Sequence, residues 1–406
     1  GFDLILGNPP WVKIAFSEDN IFSESFPEFL IKKLKPKEKE ELSTLFFQDP
    51  KNKVMMLGEV ISTESQKNFL GASQVYGDLK GMKPNLYKNF YIQIFDLYNN
   101  DGCVGIISPD GLYDDTDGDK IRVKLYQRLK YHFQFENNGI FSEIHSHVIF
   151  SVNVLSSRSD TILFEHISNV TNVKSIDKIY SNNDNKYYGI KTKDNKPEIN
   201  GNKQRIIKVN GEFLNAIFPV LGGSSSPNSI PLPVIHDNRL VQAILKITSS
   251  RLLRDIRETI SNKEAFRETQ AKKNGELVKV DNQPESIDDL VLGASQIYVG
   301  NSLYKQPNIN CSSSTDFSVI DHQMITESHI PRALFKLTNK GKEKTRFIND
   351  YYLVNRMMVD TTWPRTYVSA ILPPRVKTIH ALFSCHFSDK KDLISFAAFS
   401  QSILYD

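Results

Sequence analysis

The sequence predicts an α/β fold, the second half of a doubly wound, Rossmann-like sheet followed by a mixed α+β lobe. Three observations predict it. Short apolar runs at Phe2 to Leu6 and Val104 to Ile107 have the length of buried strands. Helix-spaced apolar residues, Leu86, Phe90, Ile94 and Leu97, lie between them. A closing pair of strand-like segments, Phe133 to Glu136 and His147 to Leu155, follows.

Taken in order, Phe2 to Leu6 reads as a buried strand ending in the turn Gly7-Asn8-Pro9-Pro10. Residues 17 to 80 are polar and helical in pieces. Within them Lys32 to Glu41, a dense run of mixed charge, reads as a solvated helix face. Asn85 to Tyr98 is a helix, and Asp101-Gly102 turns the chain into the strand Cys103 to Ile107. Lys120 to Lys130 is a second amphipathic helix, and Thr161 to Glu165 a further strand. Composition changes after Tyr180. Residues 181 to 204 are rich in Asn, Lys and Asp, and Gly222 to Pro233 is the clearest breaker. Leu240 to Ile260 reads as helix, and from Gln296 short strand-like runs alternate with turns. The expected organisation is a sheet domain at 1–180, a loop or linker region at 181–234 and a second lobe at 235–406.

Length and composition bound the rest. With 406 residues, at ~150 per domain, two or three domains are expected. No apolar run approaches the ~20 residues of a membrane span. The N-terminus, Gly1-Phe2-Asp3, has neither an initiator Met nor a basic leader, so the expectation is a chain cut inside a domain. Cys103, Cys311 and Cys385 lie far apart with no C-x-x-C pair, which argues for a reducing cytoplasm rather than a disulfide scaffold. His145, His147, His322 and His386 form no helix-spaced ligand pair, so no metal is expected. A net charge of +3 from 50 basic and 47 acidic residues requires that any nucleic-acid groove be local.

The segment that carries chemistry is Asn8-Pro9-Pro10-Trp11, directly after a strand. Two prolines fix φ and remove two backbone donors, which holds Asn8 and the neighbouring carbonyls in one arrangement. Open α/β sheets bind ligands at that edge. The plain alternative is a strand-ending turn with Trp11 plugging the core.

Phe2-Asp3-x-Ile5-x-Gly7-Asn8-Pro9-Pro10-Trp11 resembles the catalytic motif of class I S-adenosylmethionine-dependent N6-adenine DNA methyltransferases, in particular the type IIG (Eco57I-like) restriction–modification methylases. Asn85-Leu86-Tyr87-x-x-Phe90, Asp101-Gly102-x-Val104-Gly105-Ile106-Ile107-x-Pro109, Asp114-Asp115, Phe135-Glu136-Asn137 and Ile140-Phe141-x-x-Ile144-His145-x-x-x-x-Phe150 extend it over most of residues 1 to 155. Arg356 and Arg365-Thr366-Tyr367-Val368-Ser369-Ala370-Ile371-Leu372-Pro373-Pro374 resemble the segment that introduces the target-recognition region of those enzymes.

The resemblance implies methylation of adenine N6 in double-stranded DNA, with S-adenosylmethionine as donor, within a restriction–modification or phage-defence system. It implies that Asn8, Pro9, Pro10 and Trp11 form the catalytic set, in which the Asn8 side-chain oxygen and the Pro9 carbonyl accept from the reacting amine and Trp11 stacks on the extruded base. Phe141 and Phe150 are candidates for the opposite face of the base, with core packing as their alternative. Arg356, Arg365 and Arg375 are candidates for reading DNA, by base edges or by phosphates. Their alternative is pairing with surface acids such as Asp350 and Asp360. Only seven residues precede Asn8, so the chain is expected to lack most of the cofactor pocket. A nuclease domain would belong to the parent protein, because no Glu here is followed two residues later by Lys. The competing readings are a methyltransferase of RNA or of a protein amide, and a non-catalytic DNA-specificity module.

Overall fold

The computed structural model describes residues 1–146, 148–221, 224–249, 260–263, 266–280, 283–311, 316–326, 329–344, 349–359 and 365–402. His147, Gly222-Gly223, residues 250–259, Asp360 and Trp363-Pro364 lie outside them; the helix expected from Leu240 to Ile260 is helical to Thr248, and Ile260 instead begins a strand. The chain divides into two compact units, Gly1–Arg251 and Leu252–Asp406. The boundary therefore falls later than the 235 expected from composition. Among the described residues no helix is long and apolar enough to cross a membrane.

The fold is mixed α/β. The first unit runs β1 (Phe2–Gly7), α1 (Glu18–Ser23), α2 (Glu28–Ile31), α3 (Pro36–Phe46), α4 (Pro50–Leu70), α5 (Ser73–Tyr76), α6 (Leu86–Leu97) and β2 (Tyr98–Pro109). It continues with α7 (Gly111–Asp114), α8 (Asp119–Tyr126), β3 (Leu129–Glu136), β4 (Ile149–Leu155), β5 (Leu163–Val170), α9 (Lys174–Ser181), β6 (Ile207–Asn210), α10 (Gly211–Leu221) and α11 (Asn238–Thr248). Its sheet has the order β1-β2-β4-β3-β5-β6. β1 and β2 are parallel, β4 runs against both β2 and β3, and β3 and β5 are parallel. The carboxyl ends of β1, β2, β3 and β5 therefore share one edge with the start of β4.

Alternation along β4 sorts its two faces. Phe150 and Val152 join Phe135, Ile167, Val170 and Ile179 on one side. Leu155 joins Ile106, Tyr91, Tyr113, Ile121 and Leu125 on the other. Trp11 packs against both clusters.

Three expectations change. β1 is not buried: it is an edge strand, and Phe2, Leu4 and Leu6 are 59%, 59% and 74% exposed. Helix α6 is turned away from its expected face. Tyr87, Tyr91 and Ile94 are buried while Phe90 and Leu97 are not, because the Tyr91 hydroxyl bonds the Ser108 hydroxyl inside the sheet at 3.0 Å. The region expected as linker is part of the first unit. After residues 182–202, an irregular stretch, β6 pairs with β5 and α10 packs on the sheet.

Ser229 to His236 then crosses the body as a strap, buried at Ser229, Ile230, Leu232, Ile235 and His236 and open at Val234. The Arg122 Nε donates to Ser229 O at 2.6 Å, the Tyr126 hydroxyl to Ile230 O at 2.8 Å and the Ser168 hydroxyl to Ile235 O at 2.9 Å. Leu232 N–H donates to Tyr113 O at 2.9 Å. Prolines at 231 and 233 deny the strap two donors, and side chains from the body satisfy the carbonyls of Ser229, Ile230 and Ile235.

The second unit contains β7 (Ile260–Lys263), α12 (Glu268–Lys273), β8 (Leu277–Lys279), β9 (Leu290–Leu292), β10 (Lys305–Pro307), β11 (Phe317–Val319), β12 (Phe335–Leu337) and α13 (Asn339–Lys344). It ends with β13 (Tyr352–Arg356), β14 (Ser369–Leu372), β15 (Lys377–Thr378), β16 (Leu382–Phe387) and α14 (Lys390–Ser400). Two four-stranded sheets, β15-β9-β12-β8 and β14-β13-β16-β7, share a core of Leu290, Leu292, Tyr352, Val354, Leu372 and Leu382. This is a mixed α+β unit.

Candidate functional site

An open cleft of about 420 Å³ lies where β1 ends, lined by Asn8, Pro9, Pro10, Trp11 and the loop residues Ile140 to Ile144. β1 delivers the turn to the sheet's carboxyl edge, through the pairing of Gly7 with Ile106 of β2. Pro9 is buried beneath it, while Asn8 and Pro10 are exposed. Trp11 is half-buried, and its indole Nε1 is buried with no hydrogen-bond partner.

The opposite wall is a loop that one side chain organises. Asn137 follows β3 and is fully buried. Its Oδ1 accepts from Phe141 N–H at 2.8 Å, and its Nδ2 donates to the carbonyls of Phe141 and Ile144 at 3.0 Å and of His145 at 3.2 Å. Gly139 takes φ +79°, a left-handed conformation that permits the tight reversal. The result brings Phe141 edge-on to Trp11, with ring centroids 5.8 Å apart and planes at 76°.

The structure thus gathers Asn8, Pro9, Pro10, Trp11 and Phe141 around one cleft. Phe150 stands behind them. It is buried, stacks at 5.3 Å on Phe135 and touches Trp11 at 5.9 Å. Its position is the core-packing alternative: it supports the indole. Sequence reasoning matched Asn137 to a motif but gave it no role. The available signal was its place in Asn137-Asn138-Gly139 directly after a strand, where an Asn side chain commonly bonds the next turn.

A second polar group occupies the other face of the same edge. Asp110 follows β2 and accepts from Gln134 Nε2 at 2.6 Å; its other oxygen meets His132 Nε2 at 2.9 Å. His132 Nδ1 meets His166 Nδ1 at 2.7 Å, so one of the two must donate and the other accept. Burial alone would raise the Asp110 carboxyl, but the charge and hydrogen bond of His132, with hydrogen bonds from Gln134 and Ser151, hold it below the ordinary carboxylate range. Burial, with His132 beside it, pushes the His166 imidazole down to about 3. This network lies inside the fold, with Asp110, His132 and His166 all buried.

The three arginines lie in the second unit, each engaged by that unit's own atoms. A nitrogen of Arg356 donates to Ile297 O. Arg365 donates to Gln401 O and Ser402 O, both at 3.0 Å, where α14 ends. Arg375 makes a two-pronged pair with Asp288 and sits at φ +74°, a rare conformation for a residue with a Cβ. Asp288 is the acid found, rather than Asp350.

No family profile and no curated protein matches this chain. The chain has distant likenesses among solved structures. A type ISP restriction–modification enzyme, LlaGI, seen with a DNA substrate mimic, is 16% identical over 41% of this chain and 14% of its own, with a TM-score of 0.22. The type IIL restriction–modification enzyme MmeI, in complex with DNA, is 12% identical over 97% of this chain and 42% of its own, with a TM-score of 0.37. The M protein of the type I restriction enzyme EcoKI is 12% identical over 60% of this chain and 66% of its own, with a TM-score of 0.27. The chain spans less than half the length of the first two.

Proposed function

We propose that the cleft beside Asn8 receives an adenine turned out of DNA and presents its N6 amine for methylation, in a restriction–modification or phage-defence setting. The observation that supports this reading is the shared cleft of Asn8-Pro9-Pro10-Trp11 and Phe141 at the carboxyl edge of a mixed α/β sheet.

The chemistry explains why these residue types suit the task. The exocyclic amine of adenine is a poor nucleophile, because its lone pair is delocalised into the ring. Two acceptors on its N–H bonds, the Asn8 side-chain oxygen and the Pro9 carbonyl, favour a pyramidal nitrogen and localise that pair. Removing a base from the stack costs a few kcal/mol, and stacking on an aromatic ring returns about 1–3 kcal/mol. Trp11 supplies that ring, and Phe141 bounds the space beside it.

S-adenosylmethionine is the methyl donor the motif implies. Asp3, the acid on β1, is bonded by the Asn99 side chain at 2.6 Å, and no glycine-rich turn opens a helix beside β1 among the described residues. The task assigned to this chain is therefore to hold the base and steer its amine.

Trp11 is its own reporter. The chain has two tryptophans, so Trp363→Phe leaves Trp11 alone. Adenosine and short oligodeoxyadenylate are expected to quench its fluorescence saturably, and Phe141→Ala to weaken that quenching. An unquenched Trp11 at millimolar adenosine would remove the base pocket. In a methyl-transfer assay on duplex DNA with S-adenosylmethionine, run with this sequence in its full-length polypeptide, Asn8→Ala is expected to lose about 10²–10³ in rate. Label in RNA or in protein glutamine, instead of N6-methyladenine in digested DNA, would overturn the choice of substrate.

A further inference from the structure

We propose that the helical excursion between β1 and β2 is an arm that grips the DNA backbone through Lys32, Lys33, Lys35 and Lys37. The choice of DNA as polyanion rests on the reading above.

The excursion leaves from and returns to the rim of the cleft. Leu86 N–H donates to Val12 O at 3.0 Å, and Lys13 bridges to Asn85, so both ends are pinned within a few residues of Trp11. It is a built projection with its own core of Ile21, Phe22, Phe29 and Phe46; the Phe22 ring sits 4.9 Å from both Phe29 and Phe46. Ser17 and Asp49 cap α1 and α4. The Asn89 side chain donates to Leu70 O at 2.9 Å, and Tyr76, Leu79 and Met82 enter the core of the sheet. A surface on such a projection holds a defined position relative to the cleft.

The charge run that reads as a solvated mixed face is sorted by the fold. Lys39 is paired with Asp19 at 2.6 Å, and the Glu38 carboxylate is turned back onto Lys35 N–H at 2.7 Å. Lys32, Lys33 and Lys35 remain on the connector of α2 and α3, and Lys37 in the first turn of α3. All four are exposed, and none is in an ion pair among the described residues. Four like charges within six residues repel one another until a polyanion neutralises them, and duplex DNA gains by releasing counterions when it does so. A net charge of +3 over 406 residues makes this local excess stand out from the chain as a whole. Leu30 and Ile31, 63% and 79% exposed beside the lysines, make an anionic lipid surface the rival partner.

The test is the salt dependence of binding. A fluorescein-labelled duplex is titrated by anisotropy over a potassium chloride series. The proteins are the wild type, the quadruple variant Lys32→Gln, Lys33→Gln, Lys35→Gln and Lys37→Gln, and a charge-matched control, Lys174→Gln, Lys193→Gln, Lys196→Gln and Lys203→Gln. Each phosphate contact contributes about 0.9 to the slope of log K on log salt, so the first variant is expected to lose roughly 2–4 from it. The control is expected to keep the wild-type slope. An unchanged slope in the first variant, or an equal loss in both, overturns the proposal. So does binding to vesicles containing phosphatidylserine with no measurable binding to duplex. Trp11→Ala keeps the arm and removes the pocket, so it should retain the wild-type slope. An unquenched Trp11 in the Trp363→Phe protein, with an intact lysine effect, would sink the pocket and leave the arm.

Discussion

Asn137 holds Phe141 by both ends of its peptide: the side-chain Oδ1 accepts from the Phe141 N–H at 2.8 Å, and Nδ2 donates to the Phe141 carbonyl at 3.0 Å. The same Nδ2 also reaches the carbonyls of Ile144 and His145. One buried side chain thereby sets the wall that faces Trp11.

Replacing it separates donor from acceptor. Asn137→Asp keeps the acceptor for Phe141 N–H but points a carboxylate oxygen at three carbonyls. Loss of such buried bonds costs about 1–3 kcal/mol. The expected outcome is a lower melting temperature and a red-shifted Trp11 emission as its cover loosens. A variant that melts lower with unchanged Trp11 emission would confine Asn137 to stability.

Arg365 carries a different expectation. Its guanidinium caps the carbonyls at the end of α14, where a positive charge also meets the negative end of the helix dipole. Arg365→Ala should destabilise by about 1–2 kcal/mol, and Arg365→Lys should recover part of that. If Arg365→Ala melts like the wild type but relaxes DNA sequence preference, the cap is incidental and base reading is its role.

Arg122 is the largest fully buried side chain of the first unit and ties the strap to the body. Beyond Ser229 O it donates to Asp115 O at 2.5 Å and pairs with Asp119 at 2.9 Å. Arg122→Met should cost about 3–5 kcal/mol, the cost of breaking a buried charged network, and should open residues 224–237 to protease. Digestion that still spares those residues would show that packing alone secures the strap.

Acid should weaken the first unit. His166 titrates at about 3 when folded against 6.5 when free, and His236, buried beside the Arg205 charge, at about 4. Both are depressed, so between these values the unfolded chain binds more protons and stability rises with pH. It is present in full above about 6.5 and is lost as pH falls below it. Asp110 is also depressed and acts in the same direction at lower pH. Thermal melts at pH 7, 6 and 5 should show a falling midpoint, with a shallower fall in His166→Gln. Parallel curves for the two proteins would remove His166 from the acid response.

Much of this architecture was legible from local pattern, because pattern reports which residues an element offers to a core. β2, α8, β3, β4 and β5 lie close to their expected positions, and Asn8 to Trp11 ends a strand beside an open cleft. What pattern does not report is what lies across from an element. Phe90 and Leu97 satisfy helical spacing, yet the tyrosines at 87 and 91 win the sheet because Tyr91 finds a polar partner in Ser108. The proline-rich strap reads as a breaker because its donors are few. Its burial depends on Arg122 and Tyr126, more than 100 residues earlier in the chain. The role of Asn137 is equally invisible until the loop folds back on it.

The exposed β1 has a practical consequence. Its six residues, Phe2-Asp3-Leu4-Ile5-Leu6-Gly7, combine strong strand preference with a single charge, and its outer backbone edge is unpaired among the described residues. Such an edge is a template for intermolecular β-addition. Concentrated solutions of this polypeptide are therefore prone to stick strand to strand. A gatekeeper substitution at the most uncovered position, Leu6→Lys, is the simplest way to keep it dispersed during purification.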